Sequence, residues 1–142
     1  MRKKYYIRYM IYEIYDNPEW LSFDLMDRVM MHANETLQFP KDSYFVIEFN
    51  EDVSGCGDCD VVDGVVEINI NPNISRKETM VTLFHELVHA EQILKKRLIV
   101  GEGNMPSQWC NVIYTTTYED SPWEIEAYKL EKQLMRTFNG IR

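Results

Sequence analysis

Residues 75–97 read SRKETMVTLFHELVHAEQILKKR, and this stretch decides the reading of the chain. Ser75 followed by Glu78 is a capping-box helix start. Met80, Leu83, Phe84, Leu87, Val88 and Leu94 then recur at helical spacing and form an apolar stripe. The pattern predicts a helix from about Arg76 to Arg97. His85 and His89 fall off the stripe, beside Thr82 and Gln92. Four residues apart on a helix, they stand one turn above the other on the same face. Two imidazoles so placed can reach one metal ion, and Glu86 beside them is placed to take a proton from activated water. The alternative is a helix that carries two histidines by chance. With three His and fourteen Glu in the chain, a shuffled sequence would contain His-Glu-x-x-His on the order of 0.4% of the time.

Outward from this helix, Val61 to Asn71 reads as a hairpin turning at Asp63-Gly64, with Val65 to Ile70 as its second arm. Residues 51–60 read as an acidic, Gly-containing loop, and Ser43 to Asn50 as a strand. Asn17-Pro18 looks like the start of a helix running to about Leu37, with Pro at the first helical position and Phe39-Pro40 ending it. Residues 4–15 favour strand through their aromatic and β-branched content. After the motif helix come a loop over Gly101 to Pro106, an extended or irregular stretch from Trp109 to Tyr118, and a last helix. That helix opens at Ser121-Pro122 and runs to about Phe138. This order predicts an α+β fold in one domain over residues 1–142, with helices on one face of a small antiparallel or mixed sheet.

The chain has 142 residues, 15 Lys and Arg against 23 Asp and Glu, and a net charge of −8. Such an acidic balance argues against general nucleic-acid binding and against anionic membrane surfaces. No stretch approaches the ~18 apolar residues of a membrane span, and the start of the chain does not read as a signal peptide. A cytoplasmic protein is the expectation, with the oligomeric state open. The three cysteines do not suggest a disulfide framework. Cys56-Gly57-Asp58-Cys59 leaves three readings open: thiols of a structural loop, a redox-sensitive pair, or part of a second metal site.

A catalytic zinc takes three protein ligands and a water, so a third ligand is needed beside His85 and His89. His32 is far upstream. A longer pattern with Gly at 92 and His at 95 is excluded by Gln92 and Lys95. A downstream carboxylate is the natural choice, and the best stretch is Pro122-Trp123-Glu124-Ile125-Glu126-Ala127-Tyr128. Glu124 comes first and Glu126 second, on a different face of the helix, with Glu119 and Asp120 as remaining choices. Ala127 suits a close approach of two helices. Against Glu124 stands its place in a second capping box, Ser121-x-x-Glu124, where it would serve the helix start instead.

The two segments His85-Glu86-Leu87-Val88-His89-Ala90-Glu91-Gln92 and Trp123-Glu124-Ile125-Glu126-Ala127-Tyr128 resemble the zincin metallopeptidases. They are most similar to the gluzincin branch, including small phage and bacterial metallopeptidases, over roughly residues 65–130. The resemblance implies a minimal zincin-like domain in which a second helix supplies Glu124 as third ligand. It also implies Zn²⁺ as the metal and a peptide or protein as the substrate. After the alanine many members carry Asp or Asn to support a ligand histidine; this chain has Tyr128. The resemblance further implies that Val65 to Ile70 could be a sheet edge pairing with an extended peptide; an interior strand is the alternative.

The expected chemistry is hydrolysis of a peptide bond, with Glu86 accepting a proton and passing it to the leaving amine. Tyr114, Tyr118 and Tyr128, near the second segment, are candidates to stabilise the oxyanion. A zinc-binding domain that has lost catalysis and acts through protein–protein contact is the competing expectation. A purely structural zinc site would prefer four ligands and cysteine.

Overall fold

The structure is a computed structural model, and it describes residues 4–7, 10–102, 104–114 and 120–138. It is an α+β fold: three helices, a five-stranded mixed sheet and a small three-stranded antiparallel sheet. The elements in chain order are β1 (Tyr5–Ile7), β2 (Met10–Tyr15), α1 (Phe23–Leu37), β3 (Tyr44–Phe49), β4 (Gly57–Val62), β5 (Val65–Ile70), α2 (Arg76–Leu94), β6 (Leu98–Ile99), β7 (Ser107–Trp109), β8 (Val112–Tyr114) and α3 (Pro122–Thr137).

The large sheet has the order β1-β2-β3-β5-β4. Its three central strands β2, β3 and β5 are parallel, and β1 and β4 flank them antiparallel. The sheet is therefore mixed rather than antiparallel. The reason lies between β2 and β3: α1 is long enough to carry the chain back across the sheet, which parallel neighbours require. After β3 the chain passes beyond the place β5 will take, lays down β4 at the edge, and turns back. Asp63 (φ 52°) and Gly64 (φ 80°) make that turn in the left-handed region, as a two-residue hairpin needs.

Two readings of this region change. Gly57 to Asp60 belong to a strand, not to the acidic loop. And β5 is interior, hydrogen-bonded to β3 and β4, so the edge on this side of the sheet is β4. Alternating burial along β5 is set by one covered face and says nothing about which strand lies outermost. Gly57 sits where β4 passes close to α2: a Cβ there would come within 2.7 Å of the Thr82 Cγ2 and 2.8 Å of the Asn69 carbonyl oxygen.

The core joins one face of the sheet to the helices. Tyr12, Phe45, Ile47, Val66, Ile68 and Ile70 project from the strands and pack with Met26 and Met30 of α1, and with Met80, Leu83, Phe84, Leu87 and Val88 of α2. Each such side chain, fully buried, contributes roughly 1.5–3 kcal/mol. The opposite face of the sheet exposes Asp58, Asp60, Glu48 and Glu67.

α1 begins at Phe23 rather than beside Pro18. Ser22 caps it by accepting the Leu25 amide at 3.1 Å. Residues 17–21 form a separate turn, closed by the Leu21 amide on the Pro18 carbonyl and by Asn17 Nδ2 on the Leu21 carbonyl. The local competition between an Asn side chain and the helix ladder explains the shift. α2 opens on the full capping box of Ser75 and Glu78.

α2 closes three residues earlier than the pattern predicts. Lys96 takes a left-handed conformation (φ 59°), and the Arg97 amide returns to the Gln92 carbonyl, a helix-ending device. The turn swings Arg97 back over the helix. Its guanidinium donates to both oxygens of Glu126 (3.0 and 2.7 Å) and to Glu91, and lies 5.0 Å from the Trp109 ring. One side chain thus ties the end of α2, the start of α3 and the small sheet. Replacing Arg97 with Met should lower stability by about 2 kcal/mol, the scale of lost hydrogen bonds to charged groups. Urea unfolding reads this directly.

A candidate metal centre between two helices

α2 and α3 pack closely, and Ala127, fully buried, lets them approach. On α2, His85 and His89 face α3. On α3, Glu124 faces back. The three groups converge on one point. His85 Nε2 lies 3.0 Å from Glu124 Oε1, His89 Nε2 lies 3.0 Å from Glu124 Oε2, and the two Nε2 atoms are 3.1 Å apart. Among the described residues, this is the one group of His, Cys, Asp and Glu whose ligand atoms gather closely enough to hold a metal ion.

The donor set fits zinc. Two nitrogens bound tetrahedrally to one zinc at about 2.0–2.1 Å stand about 3.3 Å apart, close to the spacing here. Both ring nitrogens that face away from the cluster have acceptors: Glu131 Oε1 at 3.0 Å from His85 Nδ1, and Gln92 Oε1 at 2.8 Å from His89 Nδ1. If each Nδ1 carries its proton toward these oxygens, both Nε2 lone pairs point at the same place.

The charges agree with this geometry. Burial alone would lower His85, but the hydrogen-bonded carboxylates of Glu124 and Glu131 outweigh it and push it up to about 10. Burial likewise opposes a charged His89, and Glu124 again reverses the shift, upward. Glu124 moves the other way: burial would raise it, yet the two imidazoles hold it down at about 2. The site keeps a buried carboxylate ionised beside two imidazoles that hold their protons, and a divalent cation binding there would displace the Nε2 protons and take their place beside the carboxylate.

Glu86 is buried next to the cluster, and burial pushes it up to about 7 against the pull of His89 and His85. It lines two openings. A cleft of about 350 Å³ runs from Glu86 and His85 past Tyr128 and Glu131 to the loop at Ser54–Cys56. A second, of about 220 Å³, lies across Glu86 against His89, Glu124, Trp123, Leu98 and Cys59. Gly57, at the start of the edge strand β4, borders both.

The other residues named from the sequence fall as follows. Glu126, the second choice for third ligand, is turned away from the cluster and held by Arg97 and Gln92, with burial opposed by the Arg97 bonds so that its carboxyl is lowered. Two positions along a helix is more than half a turn, which separates it from Glu124. The second capping box does not form: Ser121 makes no side-chain cap bond, and the Glu124 carboxylate is spent on the histidines. Asp120 is exposed, and Glu119 lies outside the described residues.

Of the tyrosines, Tyr128 packs its ring 4.9 Å from that of His85 and lines the larger cleft. Tyr114 packs against Trp123 and borders neither opening. Tyr118 lies outside the described residues. His32 is a tie between helices, bonded to the Leu134 carbonyl and the Thr137 hydroxyl. Cys56 and Cys59 are free thiols that border the openings but stand outside the metal-holding group. Burial, with the Glu86 carboxylate, pushes the Cys59 thiol well up.

Glu131 was not singled out from the sequence. Its signal is the interval of seven from Glu124, two helical turns, which returns it to the same face of α3. Comparison with protein-family profiles, with curated proteins and with solved structures gave no match. The candidate site therefore stands on its residues and their geometry.

Proposed function

We propose that this chain is a zinc-dependent hydrolase of peptide bonds. The observation that carries the reading is the meeting of His85 Nε2, His89 Nε2 and the Glu124 carboxylate within about 3 Å of one another, with a buried Glu86 beside them. Zinc bound there would supply a Lewis acid that activates water and polarises a carbonyl. Among the described residues Glu86 is the one carboxylate that lines both openings next to the cluster, and it accepts the proton from the attacking water and returns it to the leaving amine. Its upward shift toward 7 suits a group that must both take and give a proton near neutrality. Tyr128, whose ring packs against His85 on the wall of the larger cleft, is the candidate among the described tyrosines to donate to the developing oxyanion.

Peptide rather than small-molecule hydrolysis is favoured by the edge strand. Among the described residues β4 is an outermost strand of the large sheet, and Gly57 at its start borders both openings beside Glu86. An extended peptide laid along β4 by main-chain hydrogen bonds would pass the cluster. This is the role the sequence suggested for β5, moved one strand outward. The arrangement of α2, α3 and the edge strand also supports the zincin resemblance of the gluzincin type.

Intact Glu86 favours catalysis over a silent zinc-binding domain, because holding the metal does not require it. The test is cleavage of a mixed-sequence fluorogenic peptide library by protein loaded with one equivalent of zinc and by chelator-treated protein. Cleavage confined to the loaded protein supports the reading. A protein that holds one zinc per chain and cleaves nothing would favour the silent domain.

A further inference from the structure

We infer that Glu131 is the positioning residue of the metal centre: it fixes the orientation and tautomer of His85, so that α3 supplies both the third ligand and the group that aims the first. This deepens the zinc-site reading and rests on it.

The geometry is specific. Glu131 Oε1 lies 3.0 Å from His85 Nδ1, and Glu124 Oε1 lies 3.0 Å from His85 Nε2. The imidazole is therefore held at both nitrogens by carboxylates of one helix. Those carboxylates are seven residues apart, about 10 Å along the axis, a separation that an imidazole and two acidic side chains can span. Ala127 sits between them and has no side chain beyond Cβ to fill the gap, and the Tyr128 ring closes the flank at 4.9 Å. The carboxylate at Nδ1 accepts a hydrogen bond from the ring N–H there, so that Nε2 is the nitrogen turned to a metal.

His89 is served differently. Its Nδ1 partner is Gln92, a neutral amide three residues on in its own helix. Only His85 has a charged outer partner, and only His85 depends on the other helix for its aim. Glu131 is itself buried, so its carboxylate is not a solvated surface group that happens to lie near.

Glu131→Met removes the acceptor and keeps the length of the side chain; Glu131→Gln keeps an acceptor and removes the charge. The measurements are zinc affinity by chelator competition, the absorption spectrum of the Co²⁺-loaded protein, and the chemical shift and exchange rate of the His85 Nδ1–H proton in the zinc-loaded protein by NMR. Circular dichroism and thermal melting of the metal-free protein serve as the folding control. Loss of an outer hydrogen-bond partner costs about 10–100-fold in metal affinity. That loss is expected for Glu131→Met, with a smaller one for Glu131→Gln, an altered Co²⁺ spectrum, and a His85 Nδ1–H signal of the zinc-loaded protein that moves upfield and exchanges faster.

A merely structural role would shift the melting temperature and leave the Co²⁺ spectrum and the Nδ1–H signal as in the wild type. Should the Met variant fail to fold, the near-isosteric Gln variant carries the comparison. If the wild type binds zinc and the folded variants match it in affinity and spectrum, the assignment of Glu131 is wrong and the metal site stands. If the wild type takes up no zinc, the metal-site reading falls and this inference falls with it.

Discussion

Glu86→Gln is expected to lower peptide hydrolysis by about 10²–10⁴-fold while zinc stoichiometry and affinity stay near those of the wild type. The amide has the size of the carboxylate and fits the same buried place on α2, but it cannot accept a proton. Glu86 is not among the groups that converge at the cluster, so the metal should not notice its loss. The pH dependence follows from the same residue. Burial raises the Glu86 carboxyl to about 7, and the neighbouring histidines oppose that shift. A bound cation acts in the same direction as the histidines. The active form is the carboxylate, so the rate should fall as pH drops through a limb at or below about 7. Glu86→Gln should abolish the turnover to which that limb belongs. A Gln variant that hydrolyses peptides at the wild-type rate would remove Glu86 from the mechanism.

Glu124→Ala and Glu126→Ala should part company, although the two residues are separated by one. Glu124→Ala removes the carboxylate that both Nε2 atoms face. Zinc affinity should fall by more than the ~10–100-fold that an outer partner controls, and elemental analysis of protein equilibrated at micromolar zinc should find the metal absent. Glu126→Ala instead removes the partner of Arg97 and Gln92. Its expected effect is a stability loss of about 2 kcal/mol, of the size proposed for Arg97→Met, with about one zinc per chain retained. Zinc loss in Glu126→Ala with retention in Glu124→Ala would reverse the assignment.

What the sequence made legible was local. The helical phase that brings His85 over His89, the capping box at Ser75 and Glu78, and the turn at Asp63-Gly64 are all decided within a few residues, and the structure contains each of them. The strand at Tyr44–Phe49 and the last helix opening at Pro122 are of the same kind. What stayed hidden depended on distant partners. The edge position of β4 rather than β5 is a matter of sheet order, which alternation along one strand does not encode. The parallel pairing of β2, β3 and β5 depends on where α1 carries the chain.

The site shows the same division. Glu124 was one of several carboxylates that ligand chemistry allowed, and a second capping box competed for it. The competition is settled by helix packing: with His85 and His89 opposite, the carboxylate turns to them and the cap bond at Ser121 is not made. Glu126 became a structural residue because the turn after α2 brings Arg97 to it. Glu131 is legible only after folding: it lies seven residues beyond Glu124, and the packing of α3 on α2 brings its carboxylate to His85, while Tyr128, next to Ala127, packs its ring against His85.

The most direct measurement is anomalous diffraction at the zinc edge from crystals grown with one equivalent of zinc. One strong peak per chain is expected, about 2.0–2.2 Å from His85 Nε2, His89 Nε2 and a Glu124 oxygen. No peak between α2 and α3, or a peak held by Cys56 and Cys59 instead, would contradict it.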